Sequence, residues 1–571
     1  MISRTSLLIH AGAAALFLSG PGLASDLLLV HGHVYTGNPK SPWAQAVAIS
    51  GSKIDAVGTD RTILGRKGAK TRVIDLKGRT AIPGIVDAHM HLWMGALELH
   101  GLNLSTPESS ITPDQPDLLV ARIQEYAAQH PNDKILFARA DFSAAPPYAP
   151  THELLDHAVN DRPLVVHNTS EHALWLNAKA LALAGITDQP VSDPIEERNV
   201  IRDASGNPSG VLIEAAMELM ERAVRGQLST EEQLTWLRAA THHLNSFGIT
   251  SIVNATGDLQ EIELYAKLRD RGELTVRTRT AFGEVAVPHK LTPKFLADLE
   301  EARTRYHDEW VSANLVKFFA DGSTGLIPPL VYVPAEFKKL VLELDRRGYQ
   351  LMTHAQRGDS VHMILDAYEQ AERANGPRDR RLRIEHDMVI PNADIGRYAQ
   401  LAVSAVMQPT FCCSEMGTNY DPKEKTPSDE WRTLENEHVV LAFSSDWPCS
   451  WPPDPFIGMQ EAVTRAIWHS DDTANTVGQP MDGAAQGGAR PTGKIYSPEQ
   501  RITVAEAVAA YTRGSAYASF FDTRVGTLEP GKEADIAVLS QDVFSVPEQE
   551  IAKTQAVMTL VGGKTVYERT E

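Results

Sequence analysis

The chain has 571 residues, 43% hydrophobic and 22% charged, and a net charge of −19. That balance describes an ordinary folded protein rather than a disordered one, and it argues against nucleic acid or an anionic membrane as a partner. The length leaves room for a barrel of about 250 residues with additions.

The first residues carry a separate message. Arg4 precedes an apolar run from Ser6 to Leu18, and Gly20-Pro21-Gly22-Leu23-Ala24 then supplies a break and small residues. This is the pattern of a secretory signal peptide over 1–25, cut after Ala24 or Ser25. The run falls short of the ~20 residues of a membrane span, and His10 interrupts it. The mature protein is therefore expected in the periplasm or secreted, without a membrane anchor.

Residues 26–82 read as short strands and turns, and 524–571 repeat the style around Gly562-Gly563. Neither end holds enough strand to bury both faces of a sheet alone. Just past the first of them, PGIVDAHMH (83–91) ends an apolar run with His89 and His91. On a strand these two side chains share a face. Paired neutral imidazoles suit Zn²⁺ or a similar divalent ion.

Eight segments read as barrel strands: 80–88, 250–255, 275–282, 315–320, 349–354, 381–386, 402–408 and 439–444. Helical patterns intervene, which favours a parallel sheet, and eight strands favour closure into a (β/α)8 TIM-type barrel of the α/β class. An open doubly wound sheet is the alternative. Ligand-type residues at five strand ends suit a barrel mouth better, because such barrels place their sites there. They are His89 with His91, then Lys317, His354, His386 and Asp446.

Roughly 160 residues separate the first two strands, against about 30 in a βαβ unit. Residues 100–240 are thus expected to form an insertion, placed to act as a lid or specificity domain over the barrel of 83–523. A second long connection, 447–500, holds the glycine-rich run 482–488 and reads as a loop. Cys412, Cys413 and Cys449 follow the last two strands. A bridge from Cys449 to either of the others and free thiols both fit the spacing.

The motifs together resemble the amidohydrolase superfamily of metal-dependent barrel hydrolases, and within it the amidohydrolase-3 branch that includes N-substituted formamide deformylases. The resemblance rests on PGIVDAHMH (83–91), EHALWLNAKAL (171–181), GVLIE (210–214), VKFFADG (316–322), THAQRGD (353–359), RIEHD (383–387), MQPT (407–410), SSDWP (444–448) and GTLEPGKEADIAVL (526–539). It implies that 26–82 and 524–571 join in one composite β-sandwich. It also implies one or two divalent ions, Zn²⁺ foremost, held by His89, His91, Lys317, His354, His386 and Asp446.

In such a site Asp446 is both a metal ligand and the general base for a metal-activated hydroxide, and Lys317 carries CO₂ as a bridging carbamate. An unmodified Lys317 paired with Asp321 is the competing picture. His172 matches a histidine that faces the substrate, with a plain surface histidine as the alternative. The extra residue between His354-Ala355 and Gly358-Asp359 puts a role for Asp359 in doubt. Asn177, Glu214, Arg383 and Gln408 receive supporting roles, and Trp447 and Trp451 either wall the site or pack their loop.

The implied activity is hydrolysis of a C–N bond in a small-molecule substrate, a linear N-acyl or N-formyl amine. Cyclic amides, lactones or other esters are the nearest alternatives, and a catalytically dead binding protein is the alternative of another class. Lys317 argues against the deaminases, which share the other ligands. Self-association is left open.

Overall fold

The computed structural model describes residues 24–570 apart from 107–108, 145–148, 284–290, 323–329, 413–427, 451 and 469–494. The expected signal peptide up to residue 23, the run 482–488, Cys413 and Trp451 lie outside the described residues.

Eight strands form the central sheet: β1 Ile85–Met90, β2 Ile249–Gly257, β3 Arg277–Phe282, β4 Val311–Phe319, β5 Gln350–Ala355, β6 Arg383–His386, β7 Ser404–Met407 and β8 Leu441–Phe443. They lie in chain order, each parallel to its neighbour. β8 returns to β1 through the residues just beyond it. The Asp446 N–H donates to the His89 carbonyl at 2.8 Å, and the His91 N–H to that of Trp447 at 2.7 Å. The buried Asp87 carboxylate accepts the Ser445 N–H at 3.1 Å, fastening the same seam. The sheet is nearly closed as a barrel, so the open doubly wound alternative fails.

The expected strand 80–88 is two strands. Thr80–Pro83 pairs with His33–Tyr35 and Ile536–Leu539, away from the barrel, and the chain crosses over at Gly84. A Cβ there would come within 2.3 Å of Thr250 Oγ1, so glycine lets β1 approach β2.

Two further sheets face each other. One holds Lys53–Gly58, Ala46–Ser50, Ser25–Val30 and Lys67–Asp75. The other joins Lys564–Glu568, Ala556–Val561 and Ile536–Leu539 to Thr80–Pro83, His33–Tyr35 and Trp43–Ala44. Leu27, Leu29, Val47 and Ile49 share one apolar core with Ile536, Val538 and Leu560. Both chain ends are needed to build that core.

After helix Leu92–His100 the chain leaves the barrel for a six-stranded mixed sheet spanning Leu102 to Ile213. It has a core of its own, including Leu119, Ile123, Leu155, Val166, Trp175 and Val211. The excursion ends earlier than residue 240. Helix Thr230–Asn245 packs on Leu92–His100 and leads directly into β2, so it belongs to the barrel's outer layer. A capping box of Ser229 with Glu232 starts this helix.

Candidate metal centre and catalytic site

The carboxyl ends of β1, β4, β5, β6 and β8 bring His89, His91, Lys317, His354, His386 and Asp446 around one small cavity. Asp446 Oδ1 lies 3.4 Å from His89 Nε2 and 3.2 Å from His91 Nε2. Lys317 Nζ lies 3.3 Å from the same His89 nitrogen. The His386 ring sits 4.9 Å from that of His89 and 4.4 Å from that of His354. His386 and Asp446 hold φ of 75° and 56°, values L-residues rarely adopt, which turn their side chains across the mouth.

Each histidine is fixed from behind. His89 Nδ1–H donates to Glu385 Oε2 at 2.6 Å, His354 Nδ1–H to Asp321 Oδ1 at 2.7 Å, and His386 Nδ1–H to Gln408 Oε1 at 2.7 Å. His91 Nδ1 is 2.8 Å from Thr256 Oγ1. Such partners set the tautomer and leave the other ring nitrogen for an ion. Arg383, inside the barrel beneath the site, grips Glu385 through Nε and Nη2 at 2.8 Å each and reaches the Ala88 carbonyl at 2.7 Å.

The site's electrostatics follow from burial. Burial pulls His89 down to about 4, helped by the nearby Lys317 ammonium, and holds His354 and His386 well below the ordinary range. These imidazoles are neutral at pH 7, the form that ligates metals. Burial likewise brings the Lys317 amine down to about 8. Burial alone would push Asp446 upward, and positive charge on the facing His89, His91 or His386 pulls it down by more than burial raises it.

His172 comes from the insertion and lines the same cavity, its ring 6.4 Å from that of His354. Its Nδ1–H donates to Glu214 Oε2 at 2.8 Å. Burial works against its charged form, but Glu214 raises its pKa overall. The buried pair presents an imidazole edge to the cavity rather than to solvent.

Several expectations are corrected here. Asp321 takes His354 and the N–H groups of Gln356 and Arg357, so it does not serve as the partner of Lys317. Asp359 is exposed and pairs with Arg357, outside the site. Trp447 is fully buried against helix Leu92–His100, where a Cβ at Gly95 would lie 2.1 Å from its ring; it packs the loop and does not wall the cavity. Of the two alternatives left open for Cys449, the structure shows the free thiol. Asn177 caps helix Ala178–Leu183 through the Ala180 N–H, a structural task.

The donor set fits a divalent ion on its own chemistry. His89, His91 and Asp446 offer three ligand atoms within 4.8 Å of one another. Among the described residues, the buried His354 Nε2 and Asp446 Oδ1 have no hydrogen-bond partner. Orphaned acceptors of this kind are costly unless a cation or donor meets them. Thr256 and Glu385 had not been singled out in the sequence; both take their roles from contacts across neighbouring strands.

A near-closed parallel barrel with imidazole and carboxylate donors at its mouth defines the class of metal-site barrels. Over residues 72–567 the chain matches the model of the Amidohydrolase family, Amidohydro_3, and it belongs to that family. It is 27% identical to Protein LONG AFTER FAR-RED 3 of Arabidopsis thaliana, over 96% of this chain and 92% of that protein. It is 26% identical to N-substituted formamide deformylase of Arthrobacter pascens, over 95% and 99%. Among solved structures, an uncharacterized metal-dependent hydrolase from Pyrococcus furiosus superposes with a TM-score of 0.66 at 23% identity, covering 91% of this chain and all of that one.

Proposed function

We propose that this chain is an exported, zinc-dependent hydrolase that cleaves the C–N bond of linear N-acyl or N-formyl amines. The observation that carries the reading is the convergence of four imidazoles, Lys317 and Asp446, with each of the four imidazoles fixed from behind. Similarity to a formamide deformylase over nearly both full lengths supports the substrate class. Nitrogen-rich donors favour zinc over harder cations.

Bound there, a divalent ion supplies Lewis acidity, polarising a carbonyl and acidifying water. His89, His91, His354 and His386 would hold it, with Asp446 as the carboxylate ligand. The Asp446 carboxylate, facing His89 and His91 Nε2, accepts a proton from the attacking water and returns it to the leaving nitrogen. His172, kept in orientation by Glu214, donates to the carbonyl oxygen as negative charge develops on it. Lys317, whose Nζ lies 3.3 Å from His89 Nε2, would join the ligands if its neutral amine added CO₂ and released a proton, offering carbamate oxygens in place of the amine.

The test is a panel of N-formyl and N-acyl amines set beside esters of the same acids, with purified Zn²⁺-loaded protein. The reading expects the amides to be turned over best. Preference for esters, lactones or cyclic amides would move the substrate class, and no turnover of any carbonyl compound would favour a binding protein.

A further inference from the structure

Beside the metal cavity lies a second buried polar cluster that plays no part in the reaction above. Glu98 comes from the helix that follows His91, Arg139 and His167 from adjacent strands of the insertion, and Glu171 from the turn that precedes His172. Their exposures are 5%, 5%, 2% and 4%.

Arg139 is its centre. Its Nε lies 2.9 Å from Glu98 Oε2 and 3.8 Å from Glu171 Oε1. Its Nη2 faces three carbonyls, those of Thr169 at 3.0 Å, Pro448 at 3.1 Å and Cys449 at 3.4 Å. Thr169 stands three residues before His172; Pro448 and Cys449 stand two and three residues after Asp446. His167 Nδ1 closes the ring, 3.3 Å from Glu171 Oε2. The Cys449 thiol donates to the Ser170 carbonyl at 3.5 Å, a second tie between the same two loops.

Glu98, His167 and Glu171 stand close enough to hold a cation. Arg139 already supplies the positive charge there. Burial and the neighbouring Glu171 raise Glu98 well above the usual carboxylate range, and the Arg139 guanidinium lies beside both glutamates.

We infer that Arg139 is a positioning residue for catalysis: it locks the loop that carries His172 to the loop that carries Asp446, and so sets the distance between them across the cavity. One group comes from the insertion and the other from the barrel. A planar guanidinium with several fixed donors suits such a junction, whereas an ammonium is a single point of attachment. Glu171 holds φ of 60°, so the turn before His172 is itself in a conformation that needs outside support. The inference rests on the proposed roles of Asp446 and His172, and its test includes a readout that needs no substrate.

Two variants are compared with the wild type: Arg139→Lys, which keeps the charge, and the double variant Arg139→Gln with Glu98→Gln, which removes the guanidinium together with one of its two carboxyl partners. Thermal unfolding reports the fold, bound metal per chain reports loading, and the visible absorption of the Co²⁺-substituted protein reports the ligand arrangement. The expected result is a folded, metal-loaded Arg139→Lys with an altered Co²⁺ band. Its kcat on an N-acyl amine should fall by about 10²-fold with KM little changed, the loss that a small misplacement of reacting groups produces. An altered band with no activity in the wild type would mean that the substrate reading failed while the positioning stands. Wild-type kcat and an unaltered band in either folded variant would overturn the proposal. So would the failure of both to fold, which would assign Arg139 to stability alone.

Discussion

His89 Nδ1 lies 2.6 Å from Oε2 of Glu385, the carboxylate that Arg383 grips through two nitrogens. The carboxylate fixes the ring's tautomer and angle, and Arg383 and His89 beside it bring Glu385 down to about 2 against the upward pull of burial. Desolvation opposes that charge, and the partners outweigh it.

Glu385→Gln removes the charge while keeping the size. The expected outcome is a folded protein whose metal affinity drops by about 10–100-fold, as loss of such a supporting group does. Competition against a chelator measures it. Unchanged affinity would mean that Glu385 only balances Arg383.

Asp446→Asn should fold and keep part of its metal affinity, since the imidazole ligands remain. Turnover of an N-acyl amine should fall by about 10²–10⁴-fold, the range for loss of a general acid–base group. Steady-state kinetics on protein of known metal content checks this. Near-normal kcat would assign the proton transfer elsewhere.

Lys317 is buried at the end of β4, and Asp321 is taken by His354. If CO₂ adds to the lysine, metal analysis should approach two ions per chain. Lys317→Ala should then be inactive and be partly rescued by short carboxylic acids. A fully active Lys317→Ala with one ion per chain would leave a mononuclear hydrolase.

Much of the barrel was legible because its strands are buried on both faces. Such strands read as continuous apolar runs, and a polar residue at the end of each stands out against them. The same uniformity hid the break at Gly84, since Ile82-Pro83 and Ile85-Val86 are equally apolar while belonging to different sheets. The ligands could be read from their places at strand ends. Their partners could not, because Glu385 meets His89 and Thr256 meets His91 only through the register of separate strands. Asp359 was a false lead for the converse reason: it lies close in sequence to His354, but the helix from Gly358 carries it to the surface. The cluster around Arg139 draws on four segments, of which only that of Glu171 belongs to a motif.

Export is a further expectation. Ser25 opens the first strand of the sandwich, its N–H donating to the Arg66 carbonyl and its hydroxyl to Asp55. Cleavage after Ala24 or Ser25 would leave a mature chain that starts at or just inside this strand. N-terminal sequencing of protein recovered from outside the cytoplasm should begin at Ser25 or Asp26. Recovery of an intact Met1 would remove the export reading.

The most direct test of the central claim is reconstitution. The protein is stripped with a chelator, hydrolysis of an N-formyl or N-acyl amine is measured, and Zn²⁺ is added back in steps. Hydrolysis should vanish on stripping and return in proportion to bound metal, levelling at one or two ions per chain. Full hydrolytic activity in the stripped protein would contradict the account.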